Sequence, residues 1–520
     1  MSRKKLPIGI QTFREIREEG YYYVDKTGIA RQLVEEGKYY FLSRPRRFGK
    51  SLFLDTLAEL FAGNEPLFQG LAIHDHWDWG RRYPVIRISF GGGVLQSLAA
   101  LEVRIGNLLE VNAQRLGVRP FQAPDIPGCF AELIRETERL HGQRVVILVD
   151  EYDKPILDNL TRPETACEMR DGLRNLYSVI KDSDAHLRFA MLTGVSKFSK
   201  VSLFSGLNNL NDITLDAKYS AICGYTDEDV DTVFAPELRG LDREVIRQWY
   251  NGYNWTGTPV YNPFDLLLLF AKREFRPYWF ETGTPTFLIE QLLRQRTFTP
   301  DLSRVVAMET LLSSFDVDYM PVEALMFQTG YLTVDSLLCM GARTEYTLKY
   351  PNLEVQASLN SALLEGLTGD PSLPGRQTGQ LYRLLLANDF SGLQRLFTAF
   401  FASIPHDWYR NNPITRFEGY WASVFYSHFA ALGLDIRLED TTSHGRIDMT
   451  VLFNGAVYLF EFKVVELMAE GKALQQIQER GYAEKYRARG EPIYLIGVEF
   501  SHQQRSVVGF EVHEEAPARG

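Results

Sequence analysis

YYFLSRPRRFGKSLFLDTL, residues 39–57, joins a short apolar run to an amphipathic stretch through a basic turn that ends in Gly-Lys-Ser. A strand, a tight turn and a helix in that order make a phosphate cradle. Backbone N–H groups at the helix N-terminus hold the phosphate, a lysine reaches the β/γ oxygens, and a hydroxyl binds Mg²⁺. Lys50 and Ser51 fill the last two roles, and Gly49 allows close backbone approach. Arg44 stands where the usual pattern has its first glycine. Arg44, Arg46, Arg47 and Lys50 cluster at the carboxyl end of the predicted strand, where they are expected to neutralise phosphate rather than form a solvated basic turn. Asp25 and Lys26, in the turn-like YVDKTG (23–28), stay open as members of the same pocket.

A second motif lies downstream, RVVILVDEYDK (144–154). An acid at the carboxyl end of a buried strand can hold Mg²⁺ through water, and the next acid can orient the attacking water. Asp150 and Glu151 are assigned these roles. The run LRFAMLTG (187–194) ends in Thr193, which reads equally as a γ-phosphate sensor and as a plain strand end. With PVIRISF (84–90), these near-continuous apolar runs alternate with longer amphipathic stretches. That pattern implies a parallel sheet covered on both faces, an α/β architecture.

The bulk properties suit such a reading. At 520 residues the chain is long for one domain. Its net charge of -10 counts mildly against extensive non-specific nucleic-acid binding, but leaves room for a local basic groove. Cys129, Cys167, Cys223 and Cys339 are far apart, so neither a zinc site nor a disulfide framework is suggested. The start, MSRKKLPIGIQTF, lacks an apolar core of signal-peptide length, and no apolar run could span a bilayer. A soluble cytoplasmic protein without membrane contact is expected.

Residues 281–320 look helical. MFQTGYLTV (326–334) and YTLKYPNLEV (346–355) then read as two strands about a loop, which suits a winged helix or a helical connector with a small hairpin equally. Residues 369–379, rich in Gly, Pro and Ser, read as a loop before another helix. A final region starts near Asn411 with a helix–strand–strand–helix pattern.

That region holds GRIDMTVLFNGAVYLFEFKVVE (445–466). Asn454-Gly455 is a strong two-residue hairpin signal. With those two residues in the turn, Phe453 faces Ala456, and further down the ladder Asp448 faces Glu461. Directly opposed residues have Cβ atoms roughly 4.5–5.5 Å apart. Lys463 points to the same face as Glu461. Carboxylates on a mostly apolar hairpin need a partner. A hard cation such as Mg²⁺ or Mn²⁺ fits, and it can generate a hydroxide and stabilise charge on a phosphodiester. Lys463 would orient the water or neutralise phosphate. The plainer reading is an Asp448–Lys463 salt bridge on a solvated face, weakened because Leu459, Phe460 and Phe462 make the strand apolar on both faces.

ID…EFK resembles the PD-(D/E)XK nuclease signature. The resemblance implies that Glu418, in RFEGYWASVFYSHFAALG (416–433), is a further metal ligand. It also implies that Gln476 and Tyr482 are the Gln/Tyr pair of the following helix, ALQQIQERGYAEKY (473–486), although Gln475 and Gln478 leave the register open. More widely, IGIQTFREIREEGYYYVDKT, RPRRFGKSLFLDTL, VDEYDKPI, LTGVSKFSKVSLFSGLNNLNDITL, YNGYNW with VYNPFDLL, and LMFQTGYLTV are similar to a bacterial and archaeal family. In that family an AAA-ATPase-like domain is fused to a PD-(D/E)XK nuclease domain, and the missing P-loop glycine belongs to the family pattern.

Other residues read more plainly: His74 and His76 as a surface turn, Tyr21 to Tyr23 as core, and YNGYNW (250–255) as a turn. The expected architecture is α/β multidomain. A P-loop NTPase (AAA-like) parallel sheet spans 1–285, a helical/winged-helix-like region 286–358, a helical connector 359–410, and a restriction-endonuclease-like domain 411–520. Expected chemistry is ATP binding at Arg47, Gly49, Lys50, Ser51, Asp150 and Thr193, with Glu151 catalytic. Mg²⁺-dependent cleavage of nucleic acid, DNA ahead of RNA, is expected at Glu418, Asp448, Glu461 and Lys463. The alternatives are a nucleotide-gated binding module without nuclease turnover and an ATPase whose carboxylates are structural. A homo-oligomer stays open, because AAA-type ATPases often place a neighbour's arginine on the γ-phosphate.

Overall fold

The four apolar runs of the first half form buried strands: β1 (Tyr39–Ser43), β2 (Val85–Ser89), β3 (Val145–Asp150) and β4 (Leu187–Gly194). A computed structural model describes residues 3–119, 121–198, 207, 209–282, 286–295, 302, 304–312, 316–317, 319–368, 372–404, 418–442 and 445–515. The short β5 (Asn211–Asp212) completes a parallel sheet in the order β2-β3-β4-β1-β5. β4 therefore lies between the Gly-Lys-Ser strand and the Asp150 strand. The carboxyl ends of β1, β3 and β4 bring Ser43, Asp150 and Gly194 to one edge.

Helices Leu98–Leu116 and Ile126–His141 start at side-chain caps, Ser97 on Ala100 N–H and Asp125 on Gly128 N–H. Each closes at a left-handed glycine, Gly117 and Gly142. These are ordinary start and stop signals. No helix among the described residues is long and apolar enough to cross a membrane.

The middle of the chain departs from the expected pattern. Residues 326–330 are not strand. They end the helix Val322–Thr329, which stops at Gly330 (φ +95°). β7 (Thr333–Met340) starts after it, turns at Gly341-Ala342 and pairs with β8 (Arg343–Lys349). Residues 353–355, read as the end of the second strand run, instead open the helix Leu353–Thr368. Within the stretch expected to be helical, β6 (Val305–Met308) is a strand, giving a three-stranded antiparallel sheet in the order β6-β8-β7. The loop expected at 369–379 is corrected in the same way. The helix Ser372–Leu386 covers 372–379, with its proline, Pro374, tolerated in the first turn, and residues 369–371 lie outside the described residues.

The chain forms two compact units, 1–283 with 305–352, and 284–304 with 353–520. The region 286–358 is thus shared between them rather than forming a domain of its own. Asn411, the expected start of the last domain, lies outside the described residues.

The second unit is built on a five-stranded sheet in the order β13-β12-β11-β10-β9. Its strands are β9 (Asp435–Thr442), β10 (Gly445–Phe453), β11 (Ala456–Val465), β12 (Ile493–Ser501) and β13 (Ser506–Glu515). β11 and β12 are parallel and the other pairs antiparallel. Asn454 and Gly455 both have positive φ, +50° and +71°, as a two-residue hairpin turn requires. On one sheet face Tyr458, Phe460 and Phe462 pack with Phe397, Phe401, Trp421 and Phe425 from helices Phe390–Ser403 and Glu418–Ala431. On the other, Val457 and Leu459 pack with Ile477, Tyr482 and Tyr486.

Candidate functional site: a phosphate cradle and a carboxylate cluster

The loop after β1 ends at Gly49, whose φ of +94° is left-handed, and the helix Lys50–Phe61 follows. A cavity of about 480 Å³ opens there, within the usual range for small-molecule sites. Arg46, Arg47, Gly49, Lys50, Ser51 and Glu151 are among its lining residues. Lys50 is 7% exposed, and its Nζ donates to the carbonyls of Arg44 (2.8 Å) and Pro45 (2.9 Å). Burial lowers its pKa, opposed by the charges of Asp150 and Glu151.

Arg44 does not face phosphate. It is fully buried, and its guanidinium donates to the carbonyls of Ser43, Thr214 and Tyr219 and stacks 4.0 Å from the Trp255 ring centre. Burial pushes its pKa down to about 10. With its terminal nitrogens bonded to backbone carbonyls and the whole side chain buried away from the cavity, the expected role of Arg44 is corrected to that of an internal brace. Arg47 has a positive φ of +67° and lies 5.0 Å over the Phe264 ring.

Asp150 accepts from the Thr193 hydroxyl (2.9 Å) and from the Glu151 N–H (3.0 Å). Neither Asp150 nor Thr193 is part of the cavity wall, and Thr193, fully buried, orients Asp150 through that bond. Glu151 does reach the cavity, on a backbone held at φ +51°. Burial raises its pKa, with Asp150 adding to the rise and Lys50 opposing it. Asp25 is taken up by Thr27 and Ala72 N–H, while Lys26 lines the cavity and pairs with Asp229 at 2.8 Å.

In the second unit the hairpin register runs as expected from Phe453↔Ala456 to Met449↔Phe460. There the regular ladder stops, one step short of the expected Asp448–Glu461 pair. Asp448 is also skipped in the pairing with β9, opposite Glu439, which has a left-handed φ of +43°. There Asp448 turns its carboxylate onto the N–H of Phe462 at 2.8 Å. That N–H belongs to the peptide that follows Glu461, so the Asp448 carboxylate stays next to Glu461 in the chain fold.

Glu461 is 1% exposed, accepts from the Gln476 amide and lies 3.5 Å from Lys463 Nζ. The ion pair along β11 thus involves Glu461, where the plainer sequence reading had Asp448. Gln475 instead bonds Glu479 at the surface. Burial raises the pKa of Tyr482, Glu461 adds to the rise, and its hydrogen bond with Gln476 opposes it. Glu418 opens the helix Glu418–Ala431, but its side chain lies outside the described residues.

A family model described as a predicted AAA-ATPase matches residues 7–204, and one of the PD-(D/E)XK nuclease superfamily matches 416–510. A curated relative, described as an uncharacterized protein in the vnfD 5′ region of Azotobacter chroococcum mcd 1, is 72% identical over 513 residues, 98% of this chain and 99% of that one. The chain belongs to the family that joins these two domains. A solved structure of the Aeropyrum pernix ORC1 protein in complex with DNA aligns at 14% identity over 67% of this chain and 96% of that one, with a TM-score of 0.26. Domain families of these two kinds generally use a nucleotide and a divalent metal.

Among the described residues no group of three or more His, Cys, Asp or Glu could hold a metal ion. Mg²⁺ asks for less, since one or two carboxylates suffice when waters and substrate phosphates complete the shell. Asp448 and Glu461 meet that requirement. His74 is spent on Asp75 and Glu65 in a surface turn. YNGYNW proves to be more than a turn. Tyr253 and Trp255 pack on Phe48, at ring separations of 4.7 and 5.5 Å, and Trp255 carries Arg44. Nothing in the spacing of that motif linked it to a loop some 200 residues earlier.

Proposed function

We propose that the first unit binds and hydrolyses ATP and that the second cleaves phosphodiester bonds in nucleic acid, DNA ahead of RNA, with Mg²⁺ or Mn²⁺. In the first unit Gly49 and the helix N-terminus receive the phosphates, Lys50 moves from loop carbonyls to the β/γ oxygens, and Arg47 adds positive charge. Ser51 and Asp150, the latter oriented by Thr193, would hold Mg²⁺. Glu151 orients the attacking water. Its raised pKa reflects a carboxylate that gains by accepting a proton.

In the second unit Asp448 and Glu461, with Glu418 from the preceding helix, would hold the metal. When bound, such a metal would activate water and stabilise the charge that develops on the phosphodiester. Gln476 fixes the Glu461 carboxylate, Lys463 neutralises the scissile phosphate or steadies the water, and Tyr482 closes the site. The observation that carries this reading is the meeting of Asp448, Glu461, Lys463 and Gln476 where β10 and β11 leave their regular ladder. Coupling between the units rests on their fusion in one chain.

The test is incubation of the purified chain with linear DNA, circular DNA and RNA, in Mg²⁺ or Mn²⁺, with and without ATP, beside Asp448→Ala. Cleavage lost in the variant supports the site. Binding of ATP with no cleavage under any condition moves the reading to a nucleotide-gated binding protein. Equal cleavage rates with and without nucleotide would remove the coupling.

A further inference from the structure

A second cavity, of about 360 Å³, lies in the first unit at the far end of the sheet from the phosphate loop. Its wall includes Pro84 and Val85 at the entry to β2, the end of the helix that opens at Lys50, and the last residues of helices Leu98–Leu116 and Ile126–His141. β2 alone separates the two ends by roughly 16 Å. Four guanidiniums from four parts of the chain line it: Arg14, Arg82, Arg87 and Arg115. Glu59 is the one carboxylate in that wall.

The guanidiniums are incompletely neutralised. Arg14 bonds Glu59 (3.0 Å) and Glu18 (3.2 Å), and Arg87 pairs with Asp55 at 2.6 Å. Arg115 donates to neutral oxygens, the Val85 carbonyl and Asn112 Oδ1. Among the described residues Arg82 makes no hydrogen bond or ion pair, and its stem lies over Gly63. Burial lowers the pKa of Arg115, and the charge of Arg87 lowers it further, a sign of like charges held together. Helix carboxyl ends favour nearby cations. Arg115 answers that demand, but Arg82 reaches no carbonyl.

We propose that this cavity docks successive phosphates of a nucleic-acid strand, at a site separate from the ATP cavity and from the nuclease carboxylates. The proposal rests on the reading that the chain acts on nucleic acid. Guanidinium forks match phosphate oxygens in pairs. One phosphate would engage two of the four, whereas a strand engages all. The half-buried Tyr83 ring in the same wall carries a further guanidinium, Arg188, 5.8 Å from its centre. In a chain of net charge -10, a local basic wall is where a polyanion can approach.

The experiment measures binding of a fluorescein-labelled single-stranded DNA by full-length Asp448→Ala protein without divalent metal, by anisotropy across a salt series. Losing one phosphate contact flattens the log–log salt slope by about 0.7 and weakens binding about fourfold near ~0.15 M salt. That is the result expected for Arg82→Gln, with a larger loss when Arg115→Gln is added. Arg139→Gln, on an exposed surface pair with Glu136, changes neither. Because Arg82 holds nothing in the fold, Arg82→Gln folds as the parent does. Unchanged curves in both variants, or no binding by the parent, overturn the proposal. So does full displacement by millimolar inorganic phosphate with no dependence on oligonucleotide length, which assigns the site to free phosphate. Cleavage is read separately with Asp448 intact. Metal-dependent cleavage with unchanged Arg82→Gln binding removes the docking site and keeps the nuclease, and Arg82-dependent binding without cleavage does the reverse.

Discussion

Replacing Glu461 with Gln probes the carboxylate cluster at its most buried member. The amide keeps the side chain's shape and its contact with Gln476 while removing one negative charge. Without metal, two effects oppose each other: lost attraction to Lys463 at 3.5 Å and relieved repulsion from Asp448. Stability should therefore move by less than about 2 kcal/mol. With metal the two proteins should part. A cation present at a hundred times its Kd adds about 2.7 kcal/mol to the folded form. For a unit of this size that raises Tm by roughly 5–10 °C. Gln offers only a neutral oxygen to a hard dication, so the variant should keep less than about a third of that rise. The assay is thermal unfolding of EDTA-stripped protein without nucleotide, titrated with MgCl₂ or MnCl₂ at constant ionic strength. Equal rises in both proteins would refute the placement of the metal at Asp448 and Glu461.

Arg44→Ala should destabilise the first unit by about 3 kcal/mol or more in denaturant melts, because the carbonyls of Ser43, Thr214 and Tyr219 lose their donor. Arg44→Lys should restore little, since one ammonium cannot reach three carbonyls and also stack on Trp255. Lys50→Ala should weaken ATP binding about 10- to 100-fold, the worth of a charge-assisted bond, read with a fluorescent nucleotide. Glu151→Gln should stabilise the nucleotide-free protein at neutral pH. The folded pKa of Glu151 is raised, so its penalty is absent below the ordinary value of 4.5 and grows as pH climbs to the raised value. The gain of Glu151→Gln over the parent should vanish below pH 4.5, and a gain constant with pH would contradict it.

β1 to β4 were legible as mostly apolar runs bounded by turn residues, and β10 and β11 through the hairpin turn between them, whereas β5, β6, β9, β12 and β13 went unread. Asn454-Gly455 fixed a register that holds for five pairs. The sixth failed for a reason no residue type announces. Opposite Glu439, whose φ is left-handed, Asp448 leaves the ladder without any shift of register, and its carboxylate takes a backbone N–H instead. Residues 326–330 show the known ambiguity of short apolar runs, helix or strand. Gly330 carried the missing signal, as a left-handed stop at the helix end. The same glycine has a second reason to be there. A Cβ on it would lie 2.7 Å from Pro45 of the phosphate loop. That long-range contact was invisible in the local pattern.

The departure at Arg44 now has a physical account. In the usual loop a glycine at this point keeps side-chain atoms away from the phosphate. Here the side chain is turned inward, through the loop and onto Trp255, so the concave side is equally clear of it. The loop is then held from behind rather than left pliant. Arg44 ties it to Thr214 and Tyr219, Phe48 packs edge-on against the stacked Tyr253 and Trp255, the Trp279 indole donates to the Arg46 carbonyl at 3.1 Å, and Gly330 lies against Pro45. Gln328, two residues before Gly330, takes the Lys197 N–H at 2.9 Å in the segment after β4. The helix Val322–Thr329 therefore touches both the loop beside Lys50 and the strand end beside Asp150. A shift of either segment on nucleotide binding has to be accommodated at this helix and its hairpin, because the contacts are tight on both sides.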